Sequence, residues 1–160
     1  VPEGRHEVTT EGGLDVLAQE ARLKDVIARL ADAGIVTSVF IDAELPQIEA
    51  AARIGAQVCE VHTGPYAHAF HGFGRDRESQ PVAVELDKVR AAGKAIRDLG
   101  MRFNAGHALN YANVQPVAEL PGVRELHIGH AIVSRSVFVG LREAVREMKA
   151  LMREAAGRAA

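Results

Sequence analysis

Carboxylate, amide and imidazole side chains recur in this chain at the points where short apolar runs end. The residues concerned are Glu60, His62, Asn104, His107, His127 and His130. Histidine titrates near neutral pH, and a carboxylate can accept a proton or stabilise a developing positive charge, so these groups suit general acid–base catalysis. Each residue alone is a weak signal, and their repeated position at the ends of successive runs is what indicates a site.

The apolar runs predict four buried parallel strands separated by helices. Their composition is typical of strands that are covered on both faces, and they are expected at 35–41, 57–62, 101–105 and 123–128. Apolar residues spaced three and four apart predict the helices. The helices are expected around 23–30, between residues 46 and 55, and over 84–99, 114–120 and 136–155. Residues 65–81 are interpreted as an insertion or a long loop.

The alternation of strand and helix predicts an α/β fold with a parallel sheet and right-handed crossovers. A doubly wound sheet and a (β/α)₈ TIM barrel both fit, and in both folds ligands bind at the carboxyl ends of the strands. A full barrel typically needs about 250 residues. The chain has 160 residues, so we interpret it as a single domain that forms about half of a barrel.

Glu60 and His107 are the main candidates for acid–base chemistry. Glu60 lies within an apolar strand, where burying a carboxylate is costly unless it is paired. Glu60 either forms a buried salt bridge, for example with Arg102 of the neighbouring strand, or points its carboxylate into the pocket. His107 follows Gly106, which lets the backbone turn sharply. His107 is either a general acid or base, or a cap on the following helix.

Gly129 and His130 end the last strand and precede a helix. A glycine N–H beside a helix N-terminus forms an anion site, and the loops after the last two strands of barrels often bind phosphate. The alternative is a tight turn with an exposed histidine. His127 shares a strand face with Gly129 and is expected to point toward the same pocket. His62 fits best as a core histidine bonded to the backbone.

The segment from Thr9 to Gly13 offers two hydroxyl groups and a glycine pair. Such a segment suits a lid that closes over a charged ligand and excludes water, although an exposed loop explains it equally well. His68 and His71 lie in the irregular 65–81 stretch. Both are expected at the surface rather than in a site.

A zinc site is the alternative form of catalysis. Its ligands would be Glu60, His62, His107 and His130. His127 and His130 are three residues apart, so on a strand they would face opposite sides and form a poor chelate. The sequence has no His-x-x-x-His pair on a predicted helix, no P-loop, no Rossmann fingerprint and no serine nucleophile elbow.

Composition excludes several classes of function. The 19 basic residues are mixed with 21 acidic ones, for a formal net charge of −2, so the basic stripe that nucleic-acid binding requires is lacking. There is no apolar run of 18 residues, so no membrane span is predicted. Cys59 is the single cysteine, which excludes an internal disulfide and fits a reducing cytoplasm.

Several segments resemble the pyridoxine 5′-phosphate synthase family, and the resemblance covers almost the whole chain. The most specific are Glu-Val-Thr-Thr-Glu-Gly-Gly at 7–13 and Asn-Ala-Gly-His at 104–107. Phe-Ile-Asp at 40–42, Glu-Val-His-Thr-Gly at 60–64 and Leu-His-Ile-Gly-His-Ala at 126–131 are also similar. The stretch 65–82 departs most from the family and looks longer than usual.

The resemblance implies a (β/α)₈ barrel of vitamin B6 biosynthesis, of which this chain is expected to form the last half. The family condenses 1-deoxy-D-xylulose 5-phosphate with 3-amino-2-oxopropyl phosphate to give pyridoxine 5′-phosphate, inorganic phosphate and water. It implies a cytoplasmic homo-oligomer, an octamer by resemblance, with no metal and no organic cofactor. Partners other than these small phosphorylated substrates, such as nucleic acids or membranes, are not expected.

The resemblance also implies roles for particular residues. His107 matches the family's proton donor, and Glu60 matches its transition-state-stabilising carboxylate. Ala108 stands where the family often has glycine, and its backbone N–H keeps the contact with substrate.

Three further positions match substrate-binding residues of the family. Thr9 would contact the deoxyxylulose phosphate from the lid loop, and Gly129 with His130 would bind the phosphate of the amino ketone. The family's first strands carry an Asn-x-Asp-His segment, an arginine, a His-x-Arg pair and a second catalytic glutamate, none of which is matched here. We therefore expect that the N-terminal part of a longer protein precedes Val1 and that these 160 residues alone are inactive. A metal-assisted sugar-phosphate isomerase or hydrolase, or a non-catalytic phosphate-metabolite binding module, is the alternative.

Overall fold

A computed structural model gives the fold and describes residues 12–158. A short 3₁₀ helix at Leu17–Gln19 comes first in this part of the chain. The α-helices are α1 Glu20–Asp32, α2 Leu45–Arg53, α3 Gly64–Gly72, α4 Gln80–Asp98, α5 Val114–Ala118, α6 His130–Val139 and α7 Leu141–Arg158. The strands are β1 Ser38–Ile41, β2 Val58–His62, β3 Arg102–Gly106 and β4 Val123–His127.

The four strands form one parallel sheet in the order β1-β2-β3-β4. The α/β prediction is therefore confirmed, and each predicted strand is present. The first strand begins three residues later than predicted, at Ser38. Ile35 instead follows the turn that caps α1, because its N–H donates to the carbonyl oxygen of Leu30, as happens where a glycine ends a helix.

One face of the sheet packs on helices, and the other bears the candidate site residues. Successive side chains of a strand point to opposite faces, so alternate residues belong to the helix-covered core. These core residues include Val39, Ile41, Cys59, Val61, Phe103 and Ala105. The opposite face carries a row of register partners, namely Phe40, Glu60, Asn104 and Glu125. The parallel register therefore aligns polar groups of three strands at one level.

The prediction of an irregular stretch at 65–81 is wrong over most of its length. Helix α3 occupies Gly64–Gly72, and α4 begins at Gln80. Tyr66 and Phe70 are fully buried four residues apart on one face of α3, and Pro65 occupies its first turn, where proline is favoured. The many glycines and histidines of the segment conceal this apolar pair.

The prediction of one helix over 136–155 is also wrong. Two helices, α6 and α7, meet at Gly140, whose φ of 81° and ψ of 151° are not helical and favour glycine. Helix α6 begins six residues earlier than predicted. Its Val137 and Phe138 are exposed, so it lacks the single apolar stripe that periodicity detects. Among the helices described, none is long and apolar enough to cross a membrane.

Candidate active site

A cleft of about 1140 Å³ opens at the carboxyl ends of the strands. Five of the six site residues expected from the sequence line it, namely Glu60, His107, Ala108, Gly129 and His130. Thr9 lies outside the described residues. The strand ends therefore bring these residues together at one edge of the sheet, and the roles assigned to them remain predictions.

Glu60 pairs with His127 across the cleft floor. Its Oε2 atom lies 2.6 Å from Nδ1 of His127, and its side chain is only 18% exposed. The expected alternative, a buried salt bridge to Arg102, is wrong: Arg102 is exposed and lies opposite Val58, two residues before Glu60. The carboxylate is therefore directed toward β4 and the cleft instead.

Gly106 makes room for the Glu60 carboxylate. A Cβ atom at this position would collide with Glu60 Oε1 and lie 3.0 Å from Cβ of His127. Gly106 was expected to let the backbone turn sharply, but this residue lies within β3. The positive φ values occur one residue later, at His107 (82°) and Ala108 (59°). Glycine is thus required here by close packing rather than by a turn.

The left-handed backbone at His107 is held by Thr63. The fully buried Thr63 places its hydroxyl oxygen 2.6 Å from the carbonyl oxygens of both Gly106 and His107. Its backbone N–H also donates to the carbonyl oxygen of Gly106 at 2.8 Å. A left-handed conformation costs about 1–2 kcal/mol for a residue with a Cβ, so these bonds help to keep the His107 ring in place.

The His107 ring lies in a partly apolar environment. Its centroid is 6.1 Å from that of Phe40 and 4.9 Å from that of His62, the second in an edge-on arrangement. Burial and, to a smaller extent, the neighbouring His62 lower the pKa of His107, although Glu60 opposes this shift. His107 is therefore neutral at pH 7 and free to accept a proton.

His62 is a buried histidine with a side-chain partner. Its Nδ1 lies 2.8 Å from Oδ1 of Asp42, which also accepts the N–H of Gly13 at 3.1 Å. The expectation of a core position is confirmed, since His62 is 7% exposed, but the expected backbone partner is wrong. A Cβ at Gly64 would collide with His62 Nε2. Asp42 and His62 follow the paired residues Phe40 and Glu60 by two, so strand register alone could have linked them.

Helix α6 presents its N-terminus to the cleft. Gly129 is its N-cap and His130 its first residue, and the first N–H groups of a helix have no acceptor within the helix. Ser134 lies one turn after His130 and also lines the cleft. Together with the positive end of the helix dipole, these donors form an environment that favours an anion.

Several cleft residues escaped the sequence analysis. They are Phe40, Asn110, Tyr111, Ser134, Arg135 and Phe138. Arg135 is held by Glu147 through two hydrogen bonds of 2.9 and 3.0 Å, and the Tyr111 hydroxyl donates to the carbonyl oxygen of Ala144. The four-residue spacing of His130 and Ser134 was a usable signal, but only once α6 is placed correctly.

The proposed zinc ligands do not converge. Among residues 12–158, no three His, Cys, Asp or Glu side chains are grouped so as to hold a metal ion. Glu60 instead pairs with His127, while His62 pairs with Asp42. His68 and His71 are exposed on α3, as expected.

Comparison with known proteins identifies the relatives of this chain. The family model described as pyridoxal phosphate biosynthesis protein PdxJ matches residues 1–154. The pyridoxine 5′-phosphate synthase of Aromatoleum aromaticum is 84% identical over 157 residues, which are 98% of this chain and 62% of that protein. That of Azoarcus sp. is 80% identical over 98% of this chain and 63% of the relative. That of Rhodopirellula baltica is 55% identical over 95% and 58%, respectively. The chain thus spans about three fifths of the length of these relatives.

Proposed function

The chain belongs to the PdxJ family of pyridoxal phosphate biosynthesis proteins, and we propose that the full-length protein containing it is a pyridoxine 5′-phosphate synthase. The observation that carries the proposal is 84% identity, over nearly the whole chain, to a protein of that name. The cleft supports it, since it combines a neutral histidine, a paired carboxylate and a helix N-terminus suited to phosphate.

The proposed reaction condenses 1-deoxy-D-xylulose 5-phosphate with 3-amino-2-oxopropyl phosphate and releases phosphate and water. Both substrates are anionic, so the site must bind phosphate groups. We assign the amino ketone phosphate to the N-terminus of α6, where the N–H groups after Gly129 and the His130 side chain are available. Thr9, which lies outside the described residues, is proposed to contact the other substrate.

The same reaction needs repeated proton transfers. We assign these to His107, whose lowered pKa keeps the ring neutral so that it accepts a proton before returning it. Glu60 is proposed to stabilise positive charge that develops on the substrate, because a carboxylate facing a cleft favours a nearby cation. The backbone N–H of Ala108 is proposed as a substrate contact. The proposed chemistry uses no metal and no organic cofactor.

We further propose that the four strands form the last half of a single-domain (β/α)₈ barrel. In the described residues, β1 and β4 are the edges of the sheet. Exposed strand edges readily pair with further strands, which the rest of a full-length protein would supply. Cytoplasmic location and a homo-octamer are also proposed. The octamer is tested by light scattering coupled to size-exclusion chromatography of the full-length protein.

The function is tested by mixing the full-length protein with both substrates and measuring released phosphate. Release that requires both substrates together and persists in EDTA supports the synthase. Loss of activity in EDTA, restored by zinc or manganese, would support the metal-assisted alternative. Binding of both phosphorylated substrates without phosphate release would indicate a binding module.

A further inference from the structure

We propose that His127 is a positioning residue that holds the Glu60 carboxylate in place through a hydrogen bond. The inference deepens the proposed synthase function and rests on it for its catalytic meaning. The observation behind it is the 2.6 Å separation between Nδ1 of His127 and Oε2 of Glu60, the shorter of the two carboxylate contacts that this ring makes.

The pair is built into the sheet rather than formed by chance at a surface. Gly106 and His127 are register partners on adjacent strands, and a Cβ at Gly106 would collide with the Glu60 carboxylate. Glu60 is only 18% exposed, and His127 reaches it from the cleft side at 43% exposure. Because Gly106 of β3 has no side chain, Glu60 of β2 and His127 of β4 can meet across it.

A second carboxylate lies near the other edge of the ring. Glu125 Oε2 lies 3.6 Å from Nε2 of His127, and the same oxygen accepts a hydrogen bond of 3.4 Å from the amide of Asn104. Asn104 is buried, and its Oδ1 has no hydrogen-bond partner among the described residues. The ring thus lies between Glu60 and Glu125, with each nitrogen facing a carboxylate.

The ionisable and charged groups around His127 limit what the ring can contact. They are Glu60 on β2, Glu125 on its own strand, His107 after β3, and His130 and Arg135 on α6. Arg135 is already paired with Glu147. The Nδ1–H group can donate to Glu60 whether the ring is neutral or charged. Glu60 is therefore the carboxylate that this ring holds at hydrogen-bond distance.

The first test separates the hydrogen bond from the other contacts of the ring. His127→Ala removes both, whereas His127→Asn keeps an N–H donor close to the position of Nδ1. A hydrogen bond to a charged group is worth about 1.5–3 kcal/mol, so we expect His127→Ala to lower kcat roughly ten- to hundredfold. We expect both KM values to change little.

His127→Asn should recover most of kcat, because it retains the donor. Unchanged kcat in His127→Ala, or a kcat in His127→Asn as low as that of His127→Ala, would overturn the proposal. Absence of turnover in the wild type would instead refute the proposed function.

A second measurement needs neither activity nor a substitution at position 127. The Nδ1–H proton of His127 is observed by NMR in the full-length protein and in its Glu60→Gln variant. A hydrogen bond to a carboxylate is stronger than one to a neutral amide oxygen, so the signal of this proton should move upfield in the variant. Glu125→Gln, at the longer distance, is the matched control and should shift it less. An unchanged signal in Glu60→Gln would refute the pair.

Discussion

The conformation of one short segment determines how the central histidine faces the cleft. His107 and Ala108 both have left-handed backbones, and the hydroxyl of Thr63 lies at hydrogen-bond distance from the carbonyl oxygens before and after the Cα of His107. The ring is thereby placed against His62 and Phe40. The position of the ring thus depends on a threonine that does not line the cleft.

The first residue-scale prediction concerns His107 itself. Replacement of a general acid or base costs about 10²- to 10⁴-fold in rate, so His107→Ala should lower kcat of the full-length enzyme by this factor. His68→Ala, at an exposed histidine outside the cleft, is the control and should be neutral. A His107→Ala enzyme with wild-type kcat would remove this residue from the mechanism.

The second prediction concerns Thr63. Thr63→Val keeps the side-chain shape but removes the hydroxyl from two buried carbonyl groups, so it should destabilise the fold by about 1–3 kcal/mol and lower kcat by displacing His107. Thr63→Ser retains the hydroxyl and should keep most of the activity. Thermal unfolding and steady-state kinetics measure the two effects. Equal behaviour of the two variants would contradict the role given to the hydroxyl.

The third prediction follows from the lowered pKa of His107. A lowered pKa keeps the ring neutral further into the acid range, so the acidic limb of kcat/KM should lie below the ordinary histidine value of about 6.5. His62→Gln removes one cause of the shift, and the limb should then move upward without reaching 6.5, because burial remains. A limb at or above 6.5 in the wild type, or one that His62→Gln leaves in place, would contradict this account.

The partners of the site residues were the part that sequence could not supply. The convergence of Glu60, His107 and His130 followed from their positions after predicted strands. The pairs Glu60–His127 and Asp42–His62 depend instead on the register between strands, and the pattern of apolar residues along each strand does not specify that register. The predicted Arg102 partner of Glu60 was wrong for this reason.

At the scale of elements, α6 connects the fold to the proposed phosphate site. It starts directly after β4, so its N-terminus lies at the edge of the sheet that bears the cleft. The strands were predictable because buried parallel strands are short and continuously apolar. Helix α6 was not predictable in this way, because its exposed Val137 and Phe138 break the helical spacing of buried apolar residues. Its end at Gly140 was also missed, so α6 and α7 were predicted as one helix.

The prediction for this element is that His130→Ala weakens binding of the amino ketone phosphate. Loss of one hydrogen bond to a charged group corresponds to roughly tenfold or more in Kd. Isothermal titration with this substrate measures the effect, and His68→Ala is again the control. Binding of deoxyxylulose phosphate should change less. Unaltered affinity for the amino ketone phosphate would contradict the assignment of its phosphate group to the N-terminus of α6.

At the scale of the whole molecule, β1 and β4 are the edges of the sheet within residues 12–158, and the proposed barrel would cover both edges. A strand at a sheet edge has alternate N–H groups without a ladder partner, and these exchange quickly with solvent. In the full-length protein, a closed barrel would protect every N–H of β4. Hydrogen exchange resolved by residue measures this, and fast exchange at alternate positions of Val123–His127 would contradict barrel closure.

The proposed function requires that this cleft makes pyridoxine 5′-phosphate and that the Glu60 carboxylate takes part in the reaction. Mass-spectrometric detection of that product, from full-length wild type and Glu60→Gln incubated side by side with both substrates, tests it most directly. We predict that the wild type forms the product and that the variant forms it about a hundredfold or more slowly. Equal rates in the two proteins would show that the site is wrongly assigned, and absence of product from the wild type would show that the function is.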